Sequence, residues 1–402
     1  MRHPHHRAIA GVFAVHGAVG GSLATRMPWI QDHLGLDPAV LGLALLCPAL
    51  GALVAMPTAG RLAHRFGGRV ATRALLALWG TALALPALAP GLPWLCAALL
   101  VYGAAAGACD VVMNAQGVVV ERRLGGRSIM SGLHGMWSVG NFAGAGAGAA
   151  VAAAAIDARA HLALMAGALL LAGLAVTRGL PDVRPEPGEQ APPRFAVPSR
   201  AILAIGLVGL CATVTELSGA QWAAVYTVEV TGAGEGLGAA TYAVFAAFMV
   251  VTRLCGDAIV RRLGPVLAVR GGAALATAGA LVVATAHVPA AAVAGFALVG
   301  VGVAVTVPLV FAAAGNAGPT PGQGVAGVAT ITYLSGLAAP AVTGWVAGAT
   351  SFPVAFGLLA CVTLVMGAGA GVLRPRRERA WAGAGLESQT GAGEAGQSRQ
   401  PS

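Results

Sequence analysis

Residues 103–127 read GAAAGACDVVMNAQGVVVERRLGGR, and within them Gly103, Gly107, Asp110, Asn114, Gly117 and Glu121 recur at spacings of 4, 3, 4, 3 and 4. On an α-helix those spacings draw one narrow stripe. The stripe is small or polar, and the rest of the helix is almost wholly Ala, Val, Cys, Met, Gln and Leu. A carboxylate in mid-bilayer costs ~3 kcal/mol on insertion scales. Asp110 is therefore expected to face protein or water, never lipid.

The surrounding chain justifies the bilayer in that argument. Of its 402 residues 57% are hydrophobic and 10% charged, with a mean hydropathy of +0.78. Soluble proteins carry about a quarter charged residues, so the composition describes a polytopic, all-α membrane protein. The net charge of +9 does not point to nucleic acid, because the basic residues, all 24 of them Arg, sit in short clusters between apolar runs. Clusters so placed fix orientation in a membrane. The six cysteines (Cys47, Cys96, Cys109, Cys211, Cys255, Cys361) stand singly in apolar segments, with no ligand spacing to a second Cys or a His; they read as packing residues, and no metal or cofactor is expected. The N-terminal run after Arg7 reads as an uncleaved first helix rather than a signal peptide.

With ~20 apolar residues per span, the sequence predicts twelve transmembrane helices, near 8–27, 38–59, 70–89, 93–121, 130–154, 160–178, 200–228, 237–259, 266–286, 290–314, 323–348 and 352–373. The Pro-rich, charged stretch 179–199 reads as a solvated linker between bundles 1–178 and 200–373, and 374–402 as a disordered tail. Alternating the loops puts all 24 arginines but Arg26 and Arg159 on the side of both termini. By the positive-inside rule that side is cytoplasmic. The halves repeat at an offset of 196 residues: Leu41 and Gly42 fall on Leu237 and Gly238, Gly60 on Gly256, Arg65 on Arg261, Gly68 on Gly264, Gly140 on Gly336 and Gly148 on Gly344. With 59 glycines each match is weak alone, but the shared offset indicates two pseudo-repeat bundles. Asp110, Asn114 and Glu216 lie outside the repeat.

The twelve-span pattern, the linker and the run Gly60–Arg69 (GRLAHRFGGR) resemble the major facilitator superfamily over nearly the whole chain. Asp110–Gly117 with Glu121, followed by Met130–Gly140 (MSGLHGMWSVG), is similar to a bacterial branch near the fucose permeases. The resemblance implies a secondary transporter working by alternating access, with a cavity lined by the first, fourth, seventh and tenth helices. It also implies gating by a cytoplasmic loop of the form G-x-x-x-D-R-x-G-x-R. Gly60, Arg65, Gly67 and Arg69 match that loop, whereas His64 takes the place of the acid. In the second half Arg253 and Asp257, one turn apart, offer a cytoplasmic ion pair of the same kind.

Other residues are weighed one by one. Asp110, Glu216 and His16, all mid-span, are candidates for proton coupling, the alternative being hydrogen bonds that hold helices together. Asn114, Asn141, Trp137, Gln221 and Trp222 are candidates for substrate contact, against packing. His134 shares a face with Trp137 and Asn141, and Tyr226 reads as an interfacial anchor. Gly140, Gly144, Gly146 and Gly148 invite a close helix, and Pro308 and Pro340 invite bends. No Walker A loop or recognised nucleophile is present, so no enzyme is expected. The expected function is proton-coupled movement of a small polar, possibly sugar-like, solute across a bacterial cytoplasmic membrane by a monomer. A proton-driven exporter of drugs or metabolites and a non-transporting sensor stay open as alternatives.

Overall fold

The computed structural model describes residues 3–36, 40–41, 44–154, 156–182, 184, 199–318 and 320–375. Gly42, most of the 179–199 linker and the tail beyond 375 lie outside them. The described chain has no strand. Its helices are α1 (Pro4–Ala24), α2 (Cys47–Phe66), α3 (Gly68–Ala82), α4 (Leu92–Arg123), α5 (Met130–Ala153), α6 (Ala158–Val176) and α7 (Arg200–Thr231). Then come α8 and α9, the two arms of Glu235–Ala284 on either side of Gly264. The last three are α10 in two pieces (Pro289–Val303 and Thr306–Ala317), α11 (Pro321–Ala349) and α12 (Phe352–Gly369), and a short helix, Met27–Leu34, follows α1. Eight described segments are long and apolar enough to cross a membrane, and one, Ala240–Ala284, runs through the kink between α8 and α9. The protein is a multi-pass membrane protein of twelve spanning helices in two six-helix bundles.

Two joints show the repeat in the backbone. Gly67 joins α2 to α3 at φ 81°, ψ 149°, and Gly264 joins α8 to α9 at φ 74°, ψ 163°. That conformation is essentially confined to glycine. The equivalent positions are thus 67 and 264, one residue longer than the offset expected from Gly68. The run Gly60–Arg69 is also not a loop. Gly60 to Phe66 are the last two turns of α2, Gly68 opens α3, and Gly67 alone is non-helical. A Cβ on Gly68 would fall 1.9 Å from Gln116 Nε2 of α4, so the absent side chain there lets α3 seat against α4.

Packing within the first bundle relies on glycine. Cβ atoms on Gly140 and Gly144 would lie 1.9 and 2.2 Å from the carbonyl oxygens of Ala14 and Ala18, so α1 and α5 touch backbone to backbone. Gly148 meets Thr25, whereas Gly146 faces open space. The α4 stripe faces protein along its length: Gly103 against Pro48, Gly107 against Ala52 and Gly117 against Met130, while Glu121 accepts from Ile129 N–H at 3.0 Å. Large apolar side chains such as Leu164, Leu171 and Trp345 stand exposed on the outside, as lipid requires.

The arginines mark the two ends. Arg69 Nε donates to Leu180 O (2.7 Å) and Arg73 Nε to Thr177 Oγ1 (3.1 Å), gathering the α2–α3 joint and the end of α6. At the opposite end Arg26 Nε donates to His161 Nδ1 (3.0 Å), and Arg159 Nη2 meets His33 Nε2 (2.6 Å) and lies over Trp29.

α10 breaks at Ala304–Val305, and Pro308 accounts for the break. Proline has no N–H to give the carbonyl four residues back, and its ring crowds that carbonyl. The freed oxygen of Ala304 accepts instead from Arg253 Nε at 3.2 Å. α11 runs on through position 340, and the side chain of Pro340 lies outside the described residues.

Candidate functional site: a cavity between the two bundles

Asp110 sits on α4 where the stripe turns from α2 toward the second bundle. Its Oδ1 accepts from Asn114 Nδ2 (3.1 Å), one helical turn on, and the Tyr333 hydroxyl of α11 is turned toward the same carboxylate. Asn114 Oδ1 in turn faces His134 Nε2 of α5 at 3.2 Å. Since Oδ1 is an acceptor, His134 donates there. The chain His134–Asn114–Asp110–Tyr333 thus crosses from the first bundle to the second.

A second constellation surrounds His16 of α1. Trp137 Nε1 donates to His16 Nδ1 (3.0 Å), and His16 Nε2 lies 3.3 Å from Ala106 O. An indole N–H can only donate, so Nδ1 must be bare and Nε2 must carry the proton. His16 is neutral with both nitrogens engaged, and its ring stacks on Trp79 at 5.2 Å. Trp79 Nε1 donates to His16 O (3.2 Å) and the Tyr102 hydroxyl to Val19 O (3.3 Å).

The third is an ion pair. Arg253 of α8 lies 2.7 Å from Glu216 of α7 and also holds Ala304 O. Arg253 is 5% exposed, so its charge is matched inside the protein and not at the surface.

All three constellations reach one cavity of about 500 Å³. Its wall carries Asp110, Glu216, Arg253, His16, His134 and Trp137, and Phe13, Trp79, Tyr102, Phe311 and Tyr333 add aromatic surface. All eight of α1, α2, α4, α5, α7, α8, α10 and α11 contribute, where the resemblance implied four, and α3 adds Trp79.

Other expected site residues lie elsewhere. Asn114 is fully buried behind Asp110 and is not on the wall. Asn141 sits against α1, its Oδ1 3.7 Å from a Cβ built on Gly20. Gln221 is exposed. Trp222 packs on Phe352, and a Cβ on Gly344 would fall 2.6 Å from its ring. Tyr226 is no interfacial anchor: it is fully buried among Phe296, Phe352 and Phe356 and donates to Val283 O.

The expected pair of Arg253 with Asp257 does not form. Arg253 turns inward to Glu216, while Asp257 accepts from the backbone N–H of Ser131 (3.0 Å) and Gly132 (2.9 Å) and from Ser128 Oγ (3.3 Å). Spacing of four put both on one helix face but could not say that α5 and α7 would take one each. Around it, Ser131 Oγ donates to Arg253 O, Arg261 Nη1 to Ser128 O, and Arg122 of α4 to Asn316 Oδ1 and Gly315 O of α10. At the other seam Gly60 lies 3.6 Å from a Cβ built on Gly322 of α11. Arg65 is exposed and lies over the Phe66 ring, and neither described ion pair includes it. His64 is half-buried on the last turn of α2.

Tyr333, Trp79, Phe13 and Phe311 were not anticipated. Tyr333 had a signal, being one of four tyrosines and lying mid-span; the others looked like ordinary apolar residues.

Residues 9–338 match the sequence profile described as Major Facilitator Superfamily. An uncharacterised MFS-type transporter of Yersinia pestis is 35% identical over 368 residues, covering 89% of this chain and 93% of the relative. The membrane protein MosC of Rhizobium meliloti is 29% identical, covering 89% of each. Among solved structures, the outward conformation of the transporter FucP aligns with a TM-score of 0.75 at 15% identity, over 92% of this chain and 98% of that one. The human organic anion transporter MFSD10 aligns with a TM-score of 0.72 at 17% identity, over 92% and 99%. Profile, relatives and fold agree, and the chain belongs to the major facilitator superfamily of membrane transporters.

Proposed function

We propose that the protein moves a small polar solute across the cytoplasmic membrane by alternating access of the cavity, coupled to protons at Asp110. The observation that carries this reading is the Asp110 carboxylate in a cavity between the two bundles, facing Tyr333 of the opposite one. A carboxylate placed there changes its surroundings whenever the bundles rock, and a group that alternates between dry and wet settings binds and releases a proton with that motion. Glu216, matched by Arg253, holds α7 to α8 and to the broken α10. His16 orients Trp137, and Asn114 orients Asp110.

Both termini are taken as cytoplasmic from the arginine distribution, with 1–178 and 200–373 as the moving bodies joined by 179–199. Hydrogen bonds between the bundles gather at the arginine-rich end, around Asp257 and Arg122, which supports a state closed toward the cytoplasm. The apolar, aromatic wall favours a second reading, proton-driven export. A sensor would place its output in the tail, and transport by a chain ending at 375 would exclude it.

The test is reconstitution of the purified protein in liposomes and a solute panel with and without a pH gradient of either sign. Gradient-dependent flux lost in Asp110→Asn is expected; flux indifferent to the gradient in the native chain would overturn the coupling. The sign of the effective gradient separates import from export.

A further inference from the structure

The cavity wall has spent its donors and kept its acceptors. Trp79 and Trp137 give their indole N–H to His16, Tyr102 gives its hydroxyl to Val19 O, and His134 gives Nε2–H to Asn114. Thr332 donates to Ala329 O, and Tyr333 is turned to Asp110. Arg253 is committed to Glu216 and Ala304 O, which leaves one terminal nitrogen and the Thr213 hydroxyl as donors.

Acceptors are in surplus. Asp110 meets only neutral donors, Asn114 and Tyr333, so its lone pairs are part-filled and its charge has no partner among the described residues. In its neutral tautomer His134 offers Nδ1 as a further acceptor. The charged and titratable groups around Asp110 are Glu216 with its matched Arg253, neutral His16, His134, Tyr102, Tyr333 and, beside it in the chain, Cys109. With Asp110 ionised and His134 neutral, they leave the cavity one negative charge. Its aromatic faces attract cations through their quadrupole and offer nothing to an anion.

We infer that the transported solute carries a protonated amine that pairs with Asp110 among these rings, so that amine and proton compete for one carboxylate. This rests on the transport reading above. Carboxylate- and phosphate-bearing solutes are disfavoured because the wall has almost no free donor for them. Since Asp110 holds either the ammonium or a proton, the two cross on opposite strokes of the cycle, as an exchange.

The test uses the full chain in detergent and two matched sets of probes. One set is glucosamine, N-acetylglucosamine, glucose and glucuronate; the other is 2-phenylethylamine, its N-acetyl derivative, 2-phenylethanol and 3-phenylpropanoate. In at least one set the amine is expected to raise the melting midpoint at concentrations where its three analogues do not. Its affinity should fall as pH is lowered, by up to tenfold per unit, and its binding should release protons to a dye in weak buffer. Asp110→Asn should weaken amine binding at least tenfold, while Asp110→Glu retains the preference. No amine preference in either set, or a preference that survives Asp110→Asn, overturns the assignment. Asp110-dependent, gradient-driven transport of an uncharged solute would sink the amine and leave the transport reading standing; coupling that persists in Asp110→Asn would sink that reading instead.

Discussion

Asp257 of α8 accepts a hydrogen bond from the backbone N–H of Gly132, at 2.9 Å, in the first turn of α5 in the opposite bundle. Ser131 N–H donates to its other oxygen, so one carboxylate covers two orphan amides at a helix N-terminus, where negative charge is favoured. The pseudo-equivalent seam, α2 against the start of α11, has Gly60 beside Gly322 in place of acid against amide. The arginine-rich end is therefore latched on one seam by a charged group, while on the other two glycines let the helices approach closely.

Asp257→Ala should open that end. Hydrogen bonds to a charged group contribute about 1.5–3 kcal/mol each, so losing the pair shifts the resting population by tenfold or more. Spin labels at positions 127 and 262, both exposed, with the exposed Cys255 and Cys361 replaced, should report a longer distance. Gly132→Ala should act alike, because its Cβ would fall 2.5 Å from Asp257 Oδ2. An unchanged distance in both variants would mean the latch does not hold the closed state.

Arg253 links Glu216, Ala304 and, through its own carbonyl, Ser131. Arg253→Leu leaves a carboxylate unpaired and a carbonyl orphaned in one step. Breaking a buried pair in this way costs about 3–5 kcal/mol, read as a large drop in melting midpoint. Glu216→Leu added to it should restore much of the loss, since both charges are then gone. Pro308→Ala should restore a smaller part, because the substituted position regains a backbone N–H that can bond Ala304 O and mend α10. If Pro308→Ala destabilises Arg253→Leu further, the break in α10 has another cause.

How much of this was legible depends on whether the information lay along one helix or between several. The stripe from Gly103 to Glu121 was readable because its period alone says which residues share a face, and every member does face protein. Asn141, Gln221 and Trp222 show the limit. Each sits on a plausible face of α5 or α7, yet the close approach of α1 to α5 takes Asn141 away from the cavity, and Trp222 fills the space left by Gly344. Arg253 was misplaced for a related reason. A cation in an apolar run can go to either end of its reach, and the carbonyl freed by Pro308, far along the chain, helped decide. The Gly60–Arg69 motif was legible as a joint but not as helix, since propensity does not mark where a glycine takes positive φ.

His16 and Asp110 should separate by function. His16 accepts from Trp137 and donates to Ala106 O, so it orients an indole on the cavity wall and has no free nitrogen for a proton. His16→Gln keeps a polar group of similar reach, and proton coupling should survive with a raised apparent KM. Coupling lost in His16→Gln, with expression and melting midpoint unchanged, would return His16 to the proton path.

Asp110 and Asn114 give the sharpest contrast, because they touch each other and only one faces the cavity. Asp110→Asn keeps shape and removes the titrating proton. Accumulation driven by a pH gradient should vanish, while solute exchange at saturating concentration persists, since a lost partner weakens binding without removing the site. Asn114→Ala removes no charge but strands the Nε2–H of His134 and the accepting Oδ1 of Asp110. Each stranded buried group costs about 1–3 kcal/mol, so the melting midpoint should fall. Asp110, held by Tyr333 alone, should then bind protons with a displaced pH profile instead of none. Stopped-flow proton uptake by the two variants tests this: a flat trace for Asp110→Asn and a shifted one for Asn114→Ala are expected. A flat trace for both would mean that Asn114 is itself required for proton binding, and a native trace for Asp110→Asn would remove Asp110 from the coupling path.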